Sequence, residues 1–217
     1  MKNFDTPAPI AAVLEVPAGR IQVIASDRTD TIVEVRPADP AKSRDTRTAE
    51  QTTVAYTDGV LRIAVPSAGN RLGSVEVTVQ LPAGSRVEAR AESAELRGVG
   101  RLGDVTFDGA YRQIKIDEAA ALRLTAVDGD VEVGRLTGPA EISTARGDIR
   151  ITEAVRGTVV LSTQMGDISI GAAAGVSASL DAGTAQGRVS NSLKNDGTAD
   201  LDIRATTGLG DITARSN

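Results

Sequence analysis

Hydrophobic and polar residues alternate one by one over much of the first part of the chain. The clearest run covers residues 74–81, where Val75, Val77, Val79 and Leu81 fall on one side of an extended backbone. Clusters of proline, glycine, aspartate and serine separate such runs, as turns do between strands. The pattern predicts seven strands, at residues 12–16, 20–25, 31–36, 52–56, 60–65, 74–81 and 86–91.

The alternation stops between the third and fourth of these strands. Residues 39–51 are charged or small, and Pro40 follows Asp39 as proline follows the capping residue of many helices. The segment has too little apolar surface to form a core helix. It therefore predicts a short exposed helix or an ordered loop.

A short motif recurs from about residue 96 onward. It consists of a glycine, usually followed by an aspartate and then by apolar residues at alternate positions. The spacings between its glycines are 26, 18, 19, 21 and 23 residues, which is the range of solenoid coils. The predicted turn residues are Gly103, Asp104, Gly129, Asp130, Gly147, Asp148, Gly166, Asp167, Gly187, Gly210 and Asp211; the fifth copy has Arg188 in place of the aspartate.

Glycine and aspartate suit a tight corner for separate reasons. Glycine adopts the positive φ angles that such a corner demands, and an aspartate side chain accepts hydrogen bonds from nearby backbone N–H groups. A second short strand precedes several of the glycines, at residues 122–125, 140–144, 159–163 and 201–206. One coil is then a strand, a Gly-Asp turn, a second strand and a further corner.

These patterns predict an all-β fold. We expect residues 92–217 to form a short right-handed β-solenoid, resembling a single-stranded β-helix, in which aliphatic layers stack on one another. Residues 1–91 are expected to form an antiparallel β-sheet cap that is continuous with the solenoid. The last copy, Gly210-Asp211, lies within a few residues of the C-terminus, so we expect it to form the uncapped end of the stack.

Composition supports stacked coils and excludes several chemistries. Hydrophobic residues make up 41% of the 217 residues but aromatic residues only 2%, so the core must be aliphatic. Without cysteine, disulfides, thiolate metal sites and cysteine nucleophiles are excluded. Without histidine, the Ser-His-Asp triad and the commonest transition-metal ligand are also excluded. The sequence predicts no cofactor and no metal site.

Charge and hydropathy restrict the expected partners. The net charge is −5 and the basic residues are scattered, which disfavours binding to nucleic acid. The chain contains no apolar run of signal-peptide or membrane-spanning length, so we expect a cytoplasmic protein with no direct membrane insertion. Association with the cell surface through a partner stays open.

Three candidate sites are each less favoured than a structural explanation or lack the features that would be expected with them. The turn aspartates could form a ladder that binds Ca²⁺, but calcium-binding repeats have a shorter period and more glycines, so turn capping is favoured. The tripeptide Arg146-Gly147-Asp148, which cell-adhesion receptors recognise, is explained by the repeat itself. Carboxylate pairs for glycoside hydrolysis would be expected together with aromatic platforms and long loops, which the sequence lacks. We predict no catalytic residue.

At these repeats the sequence resembles the DUF4097 family, also called toastrack or adhesin-like domains. The first part is similar to actinobacterial members through Val-Pro-Ala-Gly-Arg-Ile at residues 16–21 and Leu-Pro-Ala-Gly-Ser at residues 81–85. The resemblance implies a β-helix-like repeat array with no agreed enzymatic activity. It also implies that some relatives belong to cell-surface or envelope-stress systems, to which they are tied by membrane segments.

Three functions are compatible with the sequence. The first is a binding, scaffold or self-assembly module that meets a protein partner or a second copy at the solenoid ends, because open β-edges pair readily with other strands. The second is an envelope-associated adhesin or stress-response component. The third, a carbohydrate-active enzyme, is the least supported.

Overall fold

The computed structural model describes residues 1–66 and 73–217, with only the backbone at residues 110 and 111. The turn predicted between the fifth and sixth strands falls mostly on residues 67–72 and so lies outside the described residues. The chain divides into two compact units, Met1–Arg112 and Gln113–Asn217. The predicted all-β, solenoid-like fold is confirmed, and the seven strands predicted before residue 92 are all present.

The first unit contains nine strands and one helix among its described residues. In chain order they are β1 (Lys2–Asp5), β2 (Ala11–Glu15), β3 (Ala18–Ser26), β4 (Asp30–Pro37), α1 (Ser43–Gln51), β5 (Thr53–Thr57), β6 (Val60–Ala64), β7 (Val75–Pro82), β8 (Arg86–Ala91) and β9 (Ser93–Tyr111).

Pairing in this unit differs from the predicted antiparallel sheet. Strand β2 lies between β6 and β8, and β3 lies between β7 and β9, and all of these pairs are parallel. Antiparallel pairing joins β1 to β4, β4 to β7 and β5 to β6. Alternating polarity identifies a half-buried strand but not the direction of its neighbour, which explains the difference. Because β9 pairs with β3 and β8, the unit extends to Arg112 and does not end at residue 91.

Helix α1 forms where a short helix was expected, although it begins after the predicted proline. Its buried face is polar. The Thr48 hydroxyl accepts the N–H of Gly73 at 3.0 Å, and the Asp45 carboxylate accepts the N–H of Ser74 at 3.1 Å. A Cβ on Gly73 would lie 2.5 Å from the Cα of Asp45, so only glycine fits there. The helix thus holds the backbone that leads into β7.

The second unit consists of strands joined by short corners. They are β10 (Ile114–Asp128), β11 (Val131–Leu136), β12 (Ala140–Arg146), β13 (Ile149–Ala154), β14 (Gly157–Met165), β15 (Ile168–Ala172), β16 (Ala178–Gln186), β17 (Val189–Ser192), β18 (Leu201–Leu209) and β19 (Ile212–Ser216).

These strands form two parallel stacks. One contains the first half of β10 followed by β11, β13, β15, β19 and β17, and the other contains the second half of β10 followed by β12, β14, β18 and β16. The register aligns equivalent positions: Val133 pairs with Ile151, Ile151 with Ile170, and Ile170 with Ala214. All four side chains are buried, so each coil adds a layer to one aliphatic core.

The coils are not stacked in sequence order. The last coil, β18–β19, lies between the coil β14–β15 and the coil β16–β17. The first unit shows the same feature, because β2–β3 lies between β6–β7 and β8–β9. In the first unit the early segment β2–β3 therefore lies between two coils that follow one another in sequence. In the second unit the late segment β18–β19 does the same.

Aspartates at the Gly-Asp corners of the second unit connect successive coils. Each carboxylate accepts the backbone N–H of the equivalent residue in the next coil. These bonds run from Asp148 N–H to Asp130 at 2.9 Å, from Asp167 to Asp148 at 2.8 Å, from Asp211 to Asp167 at 2.7 Å and from Arg188 to Asp211 at 2.8 Å. The ladder ends at Arg188, in the coil that has no further described neighbour.

A threonine three residues before the corner glycine forms a second ladder. The hydroxyl of Thr163 donates to the carbonyl of Gly147 at 3.2 Å, and that of Thr207 donates to the carbonyl of Gly166 at 2.9 Å. Thr184 repeats the contact in the end coil, at 3.0 Å from the carbonyl of Gly210. Thr163 and Thr207 are buried, so their hydroxyls satisfy carbonyl groups that water reaches poorly.

We expect Thr163→Val to lower the free energy of unfolding by about 1 kcal/mol, because it leaves the carbonyl of the half-buried Gly147 without its donor while keeping the side-chain shape. Urea unfolding followed by circular dichroism measures this change. Thr158→Val is the control, since Thr158 is exposed on the same strand and its replacement should change stability by less than about 0.5 kcal/mol. Equal stability of both variants would contradict the second ladder.

We expect Asp167→Ala to cost about 1 kcal/mol, because the N–H of Asp211 loses its acceptor at an exposed corner. Asp167→Asn keeps an oxygen in that place and should stay closer to the wild type. Arg188→Ala keeps the backbone N–H that ends the ladder and should be neutral. If the asparagine variant lost as much stability as the alanine variant, charge and not hydrogen bonding would explain the aspartates.

Candidate binding surface

Five of the six predicted motif glycines lie at corners of the second unit. Their φ angles are positive, between 130° at Gly147 and 155° at Gly187, and each corner separates two described strands. Gly103 and Asp104 are different, because they lie inside β9 and Gly103 has no positive φ. The turn predicted at these two residues is therefore wrong. Gly103 instead allows close approach, since a Cβ would lie 2.5 Å from the carbonyl oxygen of Gly84.

The corner carboxylates are already engaged within the protein. Asp130, Asp148, Asp167 and Asp211 each accept a backbone N–H from the next coil, and Asp104 pairs with Arg86 at 3.1 Å. Within residues 1–66 and 73–217, no three acidic side chains come together in a way that could hold a metal ion. The acidic residue of the Arg-Gly-Asp tripeptide is likewise part of the ladder.

A shallow groove of about 210 Å³ in the first unit contains two carboxylates. Glu76 and Glu95 lie on the two strands beside β3, and both are in register with Arg20. The Arg20 guanidinium pairs with Glu95 at 3.2 Å. Glycoside hydrolysis needs a sugar or a water between its two carboxylates. In this groove an arginine occupies the position between them, so the arrangement does not favour that chemistry.

The end of the coil stack is formed by β16 and β17. We expected the Gly210-Asp211 copy at this end, but that copy lies one coil inside it. Within the described residues, β16 pairs only with β18 and β17 only with β19. The coil that contains Gly187 and Arg188 therefore has no described neighbour on one side. This explains why Arg188 stands where the other copies have an aspartate, since no backbone N–H of a further coil needs a carboxylate acceptor there.

The two edge strands present backbone groups that pair with no other strand in the part of the chain that the structure describes. Leu201 donates its N–H to the carbonyl of Ser177, which fixes the residues of β16 that face β18. The alternate residues Leu180, Ala182 and Thr184 direct their N–H and C=O groups the other way. The bond from Ile212 N–H to the carbonyl of Arg188 fixes β17 in the same manner. Val189 and Asn191 therefore direct their backbone N–H and C=O groups away from β19. We give the name open end to the five residues whose backbone groups point away from the neighbouring coil: Leu180, Ala182, Thr184, Val189 and Asn191.

The open end also exposes core positions. Val189 aligns with Ile212, which aligns with Ile168 in the coil beneath. Ile212 and Ile168 are 0% and 1% exposed, whereas Val189 is 46% exposed. Leu180 is partly exposed for the same reason. The last aliphatic layer is therefore covered from one side only.

Charge is sparse on these edge strands. Asp181 is the one charged side chain within β16 and β17. Elsewhere in the unit, neighbouring coils carry opposite charges that meet in pairs, such as Lys115 with Glu132 at 2.8 Å and Arg123 with Glu141 at 3.1 Å. Natural edge strands are usually protected by charges, proline or bulges. The open end lacks the charged protection.

One side of the open end is covered by the loop at residues 193–200. The carbonyl of Lys194 accepts the N–H of Ala178 at 2.9 Å, and the Asn195 amide donates to the carbonyl of Ala178 at 3.2 Å. A hydrogen bond with the Ser177 hydroxyl lowers the pKa of the Asp196 carboxyl, which stays ionised at neutral pH. Coverage ends at Ala178, so the rest of β16 remains accessible.

Sequence reasoning missed the open end, although two signals point to it. The first is Arg188, because a copy without the aspartate needs no acceptor for a following coil. The second is the shortage of charge in residues 178–192 compared with the preceding strands. Both signals are absences, of an aspartate and of charged residues. They can be interpreted only when the aspartate ladder between the coils is known.

Comparison with known proteins identifies a family and a fold. The family model of Toastrack DUF4097 matches residues 13–217. A candidate adhesin from Bacteroides fragilis NCTC 9343 has a similar structure, with a TM-score of 0.55 and 17% identity over 98% of this chain and 95% of that one. A candidate cell adhesion protein from Clostridium sporogenes ATCC 15579 gives a TM-score of 0.43 and 12% identity over 100% and 98% of the two chains. The likeness to the protein from Bacteroides fragilis concerns the fold alone.

No curated protein is similar enough to this chain to count as a match. Among the described residues, no helix is long and apolar enough to span a membrane. The family match covers almost the whole sequence and includes both units. This chain therefore belongs to the Toastrack DUF4097 family.

Proposed function

We propose that this protein is a non-catalytic binding module that acts as a scaffold, and that it binds a protein partner or a second copy through the open end. The observation that carries the proposal is the combination of unpaired backbone groups and exposed aliphatic side chains on β16 and β17. An added strand would satisfy the backbone groups and cover Val189 in a single step.

The regular hydrogen bonding between the coils supports the proposed role as a scaffold. The internal coils of the second unit are fixed by parallel pairing on both sides, and the coil β14–β15 is also held by both corner ladders on both sides. The end coil has the same pairing on one side and the loop at residues 193–200 on part of the other. A partner therefore meets a surface that is already ordered, which reduces the entropy lost on binding.

A non-catalytic role is supported by the engagement of the candidate acidic groups. The corner aspartates accept backbone N–H groups, and Glu95 is paired with Arg20. A carbohydrate-active enzyme would need two free carboxylates around an accessible space. Within the described residues, neither the corners nor the groove beside Arg20 supplies such a pair.

Val189→Lys tests the binding surface. The substitution places a charge at the open end, and because Val189 is already 46% exposed, the thermal unfolding temperature should change little. We expect chemical cross-linking in an extract of the source cells to yield complexes with the wild type, of the chain with itself or with another protein, that the variant no longer forms.

The matched control is Ser169→Lys, which adds the same charge on the outward row of an internal coil. This variant should keep the complexes of the wild type. Complexes that persist in Val189→Lys, or the absence of any complex with the wild type, would contradict binding at the open end.

A second candidate is an envelope-associated adhesin or stress-response component; the name of the similar structure from Bacteroides fragilis, a candidate adhesin, supports adhesion. Labelling of intact source cells with a reagent that does not cross membranes separates this role from a cytoplasmic one. Labelled protein from intact cells would support the surface role, while labelling only after lysis would support the cytoplasm.

A further inference from the structure

We infer that the occupant of the open end is a second copy of the same open end, joined about a two-fold axis so that β16 pairs with β16 and β17 pairs with β17. This inference rests on the proposed function, in which the open end binds, and adds the identity of the occupant and the geometry of the contact.

The first argument is that the open end has two edges. One edge belongs to β16 in one stack and the other to β17 in the second stack, and the corner at Gly187 and Arg188 joins them. The partly exposed Leu180 and Val189 lie on the two strands and belong to the core between the stacks. A single extended segment from another protein could pair with one edge only. A second open end offers an edge for each strand and an apolar layer for the core.

The second argument concerns symmetry. A two-fold axis perpendicular to the strands, and passing through both stacks, reverses the direction of β16 and of β17 together. Each strand would then run antiparallel to its own copy, which is a standard pairing geometry. The contact uses the same patch on both chains, so it closes at two copies and leaves no further open end of this kind.

The third argument is the match of backbone groups. In an antiparallel pair, hydrogen-bonded partners are residues that both point their backbone groups across the junction. Pairing centred on Ala182 sets Leu180 opposite Thr184 of the other copy, and these residues meet that condition. The side chains of Leu180 and of the central Ala182 face the core, as the buried Ile203 and Ala205 do in the coil beneath. The two aliphatic cores would therefore become continuous.

The fourth argument is electrostatic. Pairing centred on Ala182 sets Asp181, the one charged residue of the two strands, opposite Gly183 of the other copy. The Asp181 carboxylate therefore does not meet its own copy across the junction, although the whole chain has a net charge of −5. Antiparallel neighbours with like charges would oppose pairing. The sparse charge of the open end is thus suited to contact with itself.

The absence of cysteine from the chain allows a sharp test. Any antiparallel pairing of the four-residue β17 with its own copy brings Ser190 within about two positions of the other Ser190, close enough for the side chains to approach. We expect Ser190→Cys to form a disulfide-linked dimer under mild oxidation. Thr213→Cys is the matched control, because Thr213 pairs with Ser190 on the same outward row one coil inside. This control should stay unlinked.

Light scattering of the unmodified protein provides the second readout. We expect the mass to rise with concentration from 22.4 kDa towards twice that value and then to stop. Adding Val189→Lys to the Ser190→Cys chain should abolish the disulfide-linked dimer. Growth beyond two copies would overturn the closed two-fold arrangement, and equal linking of Ser190→Cys and Thr213→Cys would overturn the contact between open ends.

The results separate this inference from the proposed function. A strict monomer that Ser190→Cys fails to link would overturn pairing between two copies. If the same monomer still lost a complex with another protein on Val189→Lys, the open end would remain a binding surface with a different occupant. If Val189→Lys changed no complex of either kind, the inference and the proposed function would both fail.

Discussion

The structure of the second unit depends on the hydrogen bonds that cross from one Gly-Asp corner to the next. Each corner glycine has a positive φ, and its carbonyl oxygen lies so close to the next glycine that an added Cβ would be 2.1 Å away at Gly166 and at Gly210. The aspartate and threonine ladders hold this spacing from coil to coil. Because the corners repeat without a shift, the residues that follow them pair in register, as Ile149, Ile168 and Ile212 do, and the aliphatic side chains form continuous layers.

Local features of this fold could be predicted from the sequence. Alternating polarity located the strands, and glycine followed by aspartate located the corners from Gly129 onward, because both depend on the conformation of a few adjacent residues. The false corner at Gly103 shows the limit of a two-residue motif. Four of the true corner glycines follow a threonine by three residues, whereas Gly103 follows Gly100 and Gly129 follows Ala126. The threonine was overlooked because three of the four, Thr163, Thr184 and Thr207, make their contact with a different coil.

The order of the coils could not be predicted in the same way. The inward residues do not identify the neighbouring coil, because the side chains in one row differ from coil to coil, as Ile170, Ala214 and Asn191 do. Outward residues distinguish the arrangements better. Arg204 lies opposite Asp181 in the observed order, and Ser179 bonds with Asp202 at 2.6 Å. Such pairs become informative only when the neighbouring strands are known.

The insertion of the coil β18–β19 between β14–β15 and β16–β17 also determines which segment forms the open end. The end coil β16–β17 is an internal stretch of the chain, tethered on one side by residues 173–177 and on the other by the loop at residues 193–200. Two tethers restrict the freedom of a coil that has a neighbour on one face only, and so lower the entropy cost of keeping it ordered. An edge that remains ordered without a partner can present its backbone groups in a fixed geometry. The same charge distribution that fixes neighbouring coils, with pairs such as Lys115 and Glu132, is absent at this edge. Opposite charges stabilise a contact that is permanent and in register, whereas an edge with a single charged residue limits the desolvation of unpaired charges when a contact forms between separate chains.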